Sequence, residues 1–516
     1  MTSLSALSKH FDFDIKTKVN IAPKFLEGTT RNGYGCMGIV SIGALLYGFE
    51  NGWWGTILGT HAFLRDFGSC KEVDGASTCS LTAPQVSAGS AVQSVGIMLG
   101  CLLAVYINER LGRRLSLVVT GIISIIGVVI ELTSAIGSAR YSQFVVGKTI
   151  ASLAMGMAVN IVPMYLSETS TSTSAARGFG TNMYQNFMLV GAITASGVVY
   201  GTSQLQTAAC YMIPIGLQLL APTLLCFMAP LLPESPRWLV TKGRNEAAVD
   251  AARKLFATEG SDFDADDYVH KIHLSVEADR AEQESSGWLD LLKGPDLRRL
   301  LIAVGIQCLQ QAQGVTYILN YITFFLGYAG ITNVFPFIIS AFCVNYAGVL
   351  TGYYLPDKFG RRVLVILTSA ICGVSLMIMS GLMTGVGTGG ASGTTVVVLL
   401  FIWMGSLGAQ SPLIWIITAE SAPTRNRERV IATAIFFGFG TALLTSSVSP
   451  FLQDPGYGNL GGKILDFLFN NRVATRKFKS YVFADAVLAV QEKEIDAERD
   501  EGLDKSAHEN VVEHRS

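Results

Sequence analysis

A hydrophilic hexapeptide occurs twice in the chain, as Glu109-Arg110-Leu111-Gly112-Arg113-Arg114 and as Asp357-Lys358-Phe359-Gly360-Arg361-Arg362. Each copy ends one long apolar run and opens another, so each is a short charged turn between two stretches able to cross a bilayer. Two copies imply two related halves, with a pathway between them. Composition agrees: 50% of the 516 residues are hydrophobic, 15% are charged, mean hydropathy is +0.41 and glycines number 53. That is too apolar and too glycine-rich for an ordinary soluble enzyme, and lipid is the solvent for most of the chain.

Crossing the hydrocarbon takes roughly 20 apolar residues per helix. By that measure the first half holds spans near 34–58, 86–107, 115–136, 141–166, 181–200 and 209–232. The second half holds spans near 299–328, 334–355, 363–384, 395–418 and 430–451. The expected fold is an all-α membrane protein of two pseudo-symmetric helical bundles, 34–232 and 299–451, preceded by a polar segment 1–33. A polar loop, 233–298, divides the halves, with helical stretches expected at Asn245 to Phe256 and Val276 to Glu284. A polar tail, 452–516, closes the chain; its apolar stretches are interrupted by Lys463, Asp466, Lys479 and Asp485, so the twelfth span that would complete the second half is expected to be missing.

Lys and Arg crowd the short loops that carry Arg110, Arg113 and Arg114, Arg177, Lys358, Arg361 and Arg362, and Arg425, Arg427 and Arg429; the opposite loops hold few. The positive-inside rule puts those crowded loops, and the amino terminus, in the cytoplasm. The net charge of −1 makes no case for nucleic acid, and the six histidines form no intramembrane cluster that would bind a metal. Cys70 and Cys79 share a polar loop on the outer side and are candidates for a disulfide.

Five ordered motifs resemble those of the sugar porter family of the major facilitator superfamily. Pro233-Glu234-Ser235-Pro236-Arg237-Trp238-Leu239 matches the signature after span 6, and the two charged turns match the loops between spans 2 and 3 and between spans 8 and 9. Pro163, Tyr165 and Glu168 with Arg177 and Gly178 match the motif after span 4, at a longer Glu-to-Arg interval than usual. Trp415 through Glu420 to Arg427 is its counterpart. The resemblance covers about residues 34–461 and implies a transporter of the plasma membrane, not an enzyme, working without a cofactor and as a monomer. It also implies an internal deletion where Ile464 meets Leu465, since family members continue there into a twelfth helix.

Polar side chains inside spans are expensive and by default face a central cavity. Gln185, Gln310, Gln311, Asn345 and Trp415 sit where the resemblance puts the sugar contacts, and amides suit vicinal hydroxyls because both donate and accept. Thr316 stands where the family usually has Asn, and Gly438 and Ala442 fall near two further Asn positions. Glu50 on span 1 and Lys148 on span 4 match the Asp and Arg of proton-coupled sugar porters, with charge retained. Glu131 on span 3 reads as a structural hydrogen-bonding group. The resemblance further implies a cytoplasmic salt-bridge gate. In the first half its members are Glu109, Arg113, Arg114, Glu168, Arg177, Glu234 and Arg237; in the second they are Asp357, Arg361, Arg362, Glu420 and Arg427.

The function expected is transport of a hexose or related small sugar by alternating access, coupled to protons. Facilitated diffusion, a disaccharide or glycoside permease, a sugar sensor and a non-transporting truncated isoform stay open as alternatives.

Overall fold

In the computed structural model every one of the eleven expected spans is helical. Residues 31–453 are described, apart from 74–75, 138, 170–173, 258–262, 284–292, 332, 353–354, 386–389 and 423–426. The segment 1–30, the tail from 454 onward and with it the expectation that a twelfth span is missing lie outside the described residues, as do the side chains of Arg177, Asp357 and Arg427.

Span 1 is α1, Arg31–Ile57. A short helix α2, His61–Phe67, and a hairpin of β1, Ser69–Val73, and β2, Ala76–Ser80, follow it. The antiparallel register sets Cys70 opposite Cys79, and a disulfide joins them. Thr82 and Gln85 then cap the next helix: the Thr82 backbone N–H donates to Gln85 Oε1 at 2.9 Å.

Spans 2 and 3 are expected as two helices and the structure runs them together as α3, Ala83–Thr133, broken at Gly112, whose φ of 84° interrupts the helix at the charged turn. A side chain at that φ is strained, so glycine fixes the bend. Span 4 is α4, Tyr141–Thr169, and span 5 is α5, Ser174–Thr202. Span 6 is expected as one helix but divides into α6, Ala209–Leu217, and α7, Leu220–Met228, the latter running on into a 3-10 turn at Ala229–Leu231. Pro222 is the reason: it has no N–H to offer the carbonyl four residues back, at Gln218, and the helix breaks there.

The dividing loop folds into α8, Pro236–Thr241, α9, Asn245–Phe256, and α10, Ala265–Gln283. These close on a core of their own around Leu239, Leu255, Phe256 and Val269. The α9 limits are those expected; α10 begins earlier than the expected Val276, because Asp264 accepts from the N–H groups of Asp266 and Asp267 and starts the helix within the acidic patch.

Span 7 also departs from a single helix. It divides into α11, Gly294–Ala312, and α12, Val315–Tyr328, at Gly314, whose φ is 82°. Then come α13, Phe335–Thr351, α14, Leu355–Phe359, α15, Arg361–Gly385, α16, Gly390–Ser421, and α17, Arg427–Gln453.

Large apolar side chains point outward from many helices, among them Phe227, Leu309, Met377 and Leu444, each at least 67% exposed. Such a surface is stable only in lipid. Six of the helical segments are, among the described residues, long and apolar enough to span a membrane by themselves. Inside, one apolar cluster gathers Val40, Met157, Val162 and Tyr165 of the first half, and another gathers Ile322, Phe342, Leu400 and Trp403 of the second. The halves touch through directed bonds: Thr323 Oγ1 on α12 donates to Gly55 O on α1 at 2.5 Å, Ser87 Oγ on α3 donates to Ser447 O on α17 at 3.0 Å, and Asn182 on α5 donates to Gly352 O, just past α13, at 3.4 Å.

Candidate transport site

The amino-terminal bundle holds a buried ion pair. Lys148 Nζ on α4 lies 3.0 Å from Glu50 Oε1 on α1, with the Lys side chain fully buried and the Glu side chain 5% exposed. Two indoles flank the ammonium, Trp53 at 5.0 Å and Trp54 at 4.9 Å from the ring centroids, where their negative faces attract a desolvated cation. The second Glu50 oxygen accepts from Trp53 Nε1 at 3.2 Å. Gln218, at the break in span 6, completes the cage: with its amide turned to suit both neighbours it donates to Glu50 Oε2 at 2.9 Å and accepts from Trp53 Nε1 at 2.7 Å. Neither the indoles nor Gln218 are legible as partners in the sequence, although a buried amide beside a span-breaking proline is a signal of the right kind.

Further polar groups are buried on spans of both halves. Gln185 on α5 is 1% exposed and its Oε1 has no hydrogen-bond partner. Gln310 and Gln311 stand in the last turn of α11, immediately before the Gly314 break, and both are buried. Thr316, in the first turn of α12, donates to Gln311 Oε1 at 2.6 Å, bridging the two pieces of span 7. Trp415 on α16 lies edge-on to Tyr184 of α5 at 6.3 Å, and Tyr184 is 6.5 Å from Tyr47 of α1, so aromatic rings from both halves meet. Asn345 is turned to its own half, donating to Met404 O at 3.0 Å. Polar neighbours that sequence reasoning missed include Gln307, which donates to Thr418 Oγ1 at 3.2 Å, Asn320, whose Nδ2 is buried without a partner, and Gln93, which donates to Asn51 Oδ1 at 3.0 Å.

The charged-turn end is held by a second cluster. Arg113 on α3 donates from Nε to Glu168 Oε2 at 3.1 Å and from Nη2 to Glu168 Oε1 at 2.9 Å, with the side chains 7% and 11% exposed. Glu234 accepts from the backbone N–H groups of Arg113 at 2.9 Å, Arg114 at 3.2 Å and Ser235 at 3.0 Å. Burial pushes its carboxyl pKa up, against the pull of these hydrogen bonds and of the Arg113 charge. Trp238 Nε1 donates to Glu109 O at 3.3 Å, tying the dividing loop to the same turn. Arg237 is half-buried on α8 and its charge reaches Tyr268 on α10. In the second half Arg361 pairs with Glu420, and Arg362 is exposed beside it in sequence.

Two helical bundles sharing internal motifs, with an ion pair buried inside the first, amides buried on spans of both and an apolar outer surface, define a multi-pass membrane transporter. A family model described as sugar (and other) transporter matches residues 36–469. The chain therefore belongs to the sugar porter family of the major facilitator superfamily, and it is a membrane transporter, not an enzyme.

Among curated relatives it is 29% identical to the major facilitator-type transporter ecdD of Aspergillus rugulosus, over 84% of this chain and 81% of that one. It is 27% identical to the probable glucose transporter rco-3 of Neurospora crassa, over 82% of this chain and 72% of that one. Among solved structures, the proton:xylose symporter XylE bound to 6-bromo-6-deoxy-D-glucose superposes with a TM-score of 0.68 at 19% identity, covering 86% of this chain and 95% of that one. A partially occluded inward open form of XylE from E. coli gives 0.65 at 18% identity, covering 86% and 99%. These last two establish the fold.

Proposed function

We propose that the chain carries a hexose or a related small sugar across the plasma membrane by alternating access, coupled to protons. The observation that carries the reading is the buried Glu50–Lys148 pair, 3.0 Å apart inside the amino-terminal bundle and joined there by Gln218. A carboxylate removed from water keeps its charge only while its cation stays close, so movement of α1 against α4 converts proton binding into a change of helix packing. Gln185, Gln310, Gln311 and Thr316 offer donors and acceptors to sugar hydroxyls, and Trp415 offers a face to the apolar side of a pyranose. Relatives named as glucose and hexose transporters, and a structural neighbour named as a proton:xylose symporter, support the reading. Arg113–Glu168 and Arg361–Glu420 act as the gate at the cytoplasmic end, on the side where the amino terminus also lies. The working unit is a monomer.

The test is uptake of labelled D-glucose and D-xylose into transporter-deficient cells, with and without a proton uncoupler. Accumulation against a gradient that the uncoupler abolishes is expected, and Glu50→Gln is expected to lose accumulation while keeping sugar exchange. Accumulation unchanged in that variant removes Glu50 from the coupling; no uptake of any sugar removes the substrate class.

A further inference from the structure

Glu131 on α3 is fully buried and neither of its carboxyl oxygens has a hydrogen-bond partner. The expected structural hydrogen-bonding role is thereby corrected: only its backbone carbonyl is engaged, accepting from Ser134 Oγ at 2.6 Å and from the Ser134 N–H. A fully buried carboxylate with no protein donor beside it is costly to hold as an ion, and the neutral acid is the form that suits this arrangement.

Its place gives that acid a use. The side chain packs on Gly147 of α4, where a Cβ atom would come within 2.8 Å of Glu131 Cγ, and Gly147 immediately precedes Lys148. The charges that act on Glu131 are those of Glu50 from α1 and Lys148 from α4, while the broken span 6 brings only the uncharged Gln218 to the group. Ser124 and Val128 lie on the same face of α3 as Glu131. With Glu50 and Gln218 they line a small cavity of about 10 Å³, roughly the room of one water.

We propose that Glu131 is the alternate anionic partner of Lys148 and carries the proton whenever Glu50 does not. The inference rests on the reading of Glu50 as a titrating group. With Lys148 on Glu50, Glu131 is protonated. When Glu50 takes up a proton, Lys148 keeps its own three, turns to Glu131, and Glu131 releases its proton to water. One proton enters and one leaves, so the trio holds one positive and one negative charge in both states. Lys148 thus never faces the membrane interior without an anion.

The experiment is infrared spectroscopy of the full chain in lipid at neutral pH, following the C=O stretch of protonated carboxyls, with no sugar present. Wild type is expected to show a band that Glu131→Gln removes. Glu50→Gln is expected to remove it as well, because Lys148 then ionises Glu131, and the double variant Glu50→Gln, Lys148→Met is expected to restore it. A band that persists in Glu50→Gln overturns the proposal, as does a wild-type spectrum that Glu131→Gln leaves unchanged. Should Glu131→Gln fail to fold, Glu131→Asp serves in its place by shifting the band. Failure of proton coupling itself would appear separately, as sugar uptake that ignores an uncoupler, with the carboxyl bands still readable.

Discussion

Arg113 grips Glu168 through two parallel hydrogen bonds, Nε to Oε2 at 3.1 Å and Nη2 to Oε1 at 2.9 Å, in a setting that leaves both side chains almost dry. A two-point contact of this kind depends on the flat fork of a guanidinium. The pair ties α3 to α4 at the end where Glu234 and Trp238 also converge.

Replacing Arg113 by Lys keeps the charge and loses the fork. Replacing it by Ala strands Glu168, and breaking a largely buried pair from one side costs about 3–5 kcal/mol. Expected, therefore, is a steep loss of thermal stability for Arg113→Ala, a smaller one for Arg113→Lys, and partial recovery in Arg113→Ala with Glu168→Gln. Melting of the purified protein in detergent measures all three; equal losses would separate the pair from the stability of this end.

Gly112 presents two obstacles to a side chain. Its φ is 84°, and a Cβ would stand 2.5 Å from Glu234 Oε2. Gly112→Ala is expected to lower stability by about 1–3 kcal/mol from the backbone alone, because φ 84° with ψ 176° is a conformation essentially confined to glycine, with more from displacing Glu234. The same substitution at Gly360, whose φ is 79° and where a Cβ meets nothing within 4 Å, carries only the backbone cost. Comparing the two melts separates the contributions.

At Lys148 and Glu50 the prediction is a coupling. Lys148→Met leaves an unpaired buried carboxylate, at a cost of about 3–5 kcal/mol, whereas Lys148→Met with Glu50→Gln removes both charges and is expected to recover much of the loss. A double-mutant cycle on denaturation midpoints reads the interaction. Additive losses would mean that the two groups do not depend on each other.

Glu234 makes stability depend on pH. Folding raises its pKa above the ordinary 4.5, so between that value and the raised one the folded chain binds more proton than the unfolded chain. Stability contributed by this group is therefore present below the ordinary value and is lost as pH rises through the raised one. Glu234→Gln does not titrate. The melting difference between wild type and Glu234→Gln is expected to move against wild type across that window and to level off above it; a difference that moves the other way contradicts the assignment.

Much of this was legible without coordinates, for identifiable reasons. Length and hydropathy locate spans because lipid allows few ways to satisfy a backbone, and each expected run is helical, though not always as one separate helix. Glu50 and Lys148 were recognisable because charges inside spans are rare. What could not be read were the interruptions: Pro222 breaks span 6, but Pro163 sits within α4 without ending it, and sequence alone does not distinguish the two. The ion pair Arg113–Glu168 follows from motifs, whereas the indoles over Lys148 follow from three-dimensional packing of aromatic residues that any apolar run contains. Asn345 carries two signals at once: a polar residue in a span suggests a cavity, and its amide N–H is held by the Met404 carbonyl of its own half.

The discontinuity in span 7 has a mechanical corollary. Gly314 occupies a left-handed conformation, and one directed side-chain bond, Thr316 to Gln311, crosses it. A second departure from helical geometry follows inside α12 at Tyr321, with φ −118° and ψ 18°, so the span bends at two places. α12 touches Gly55 through Thr323 and the Ser446 carbonyl through Tyr321, and Thr316 at its start holds Gln311, so a displacement of α12 would be felt at all three.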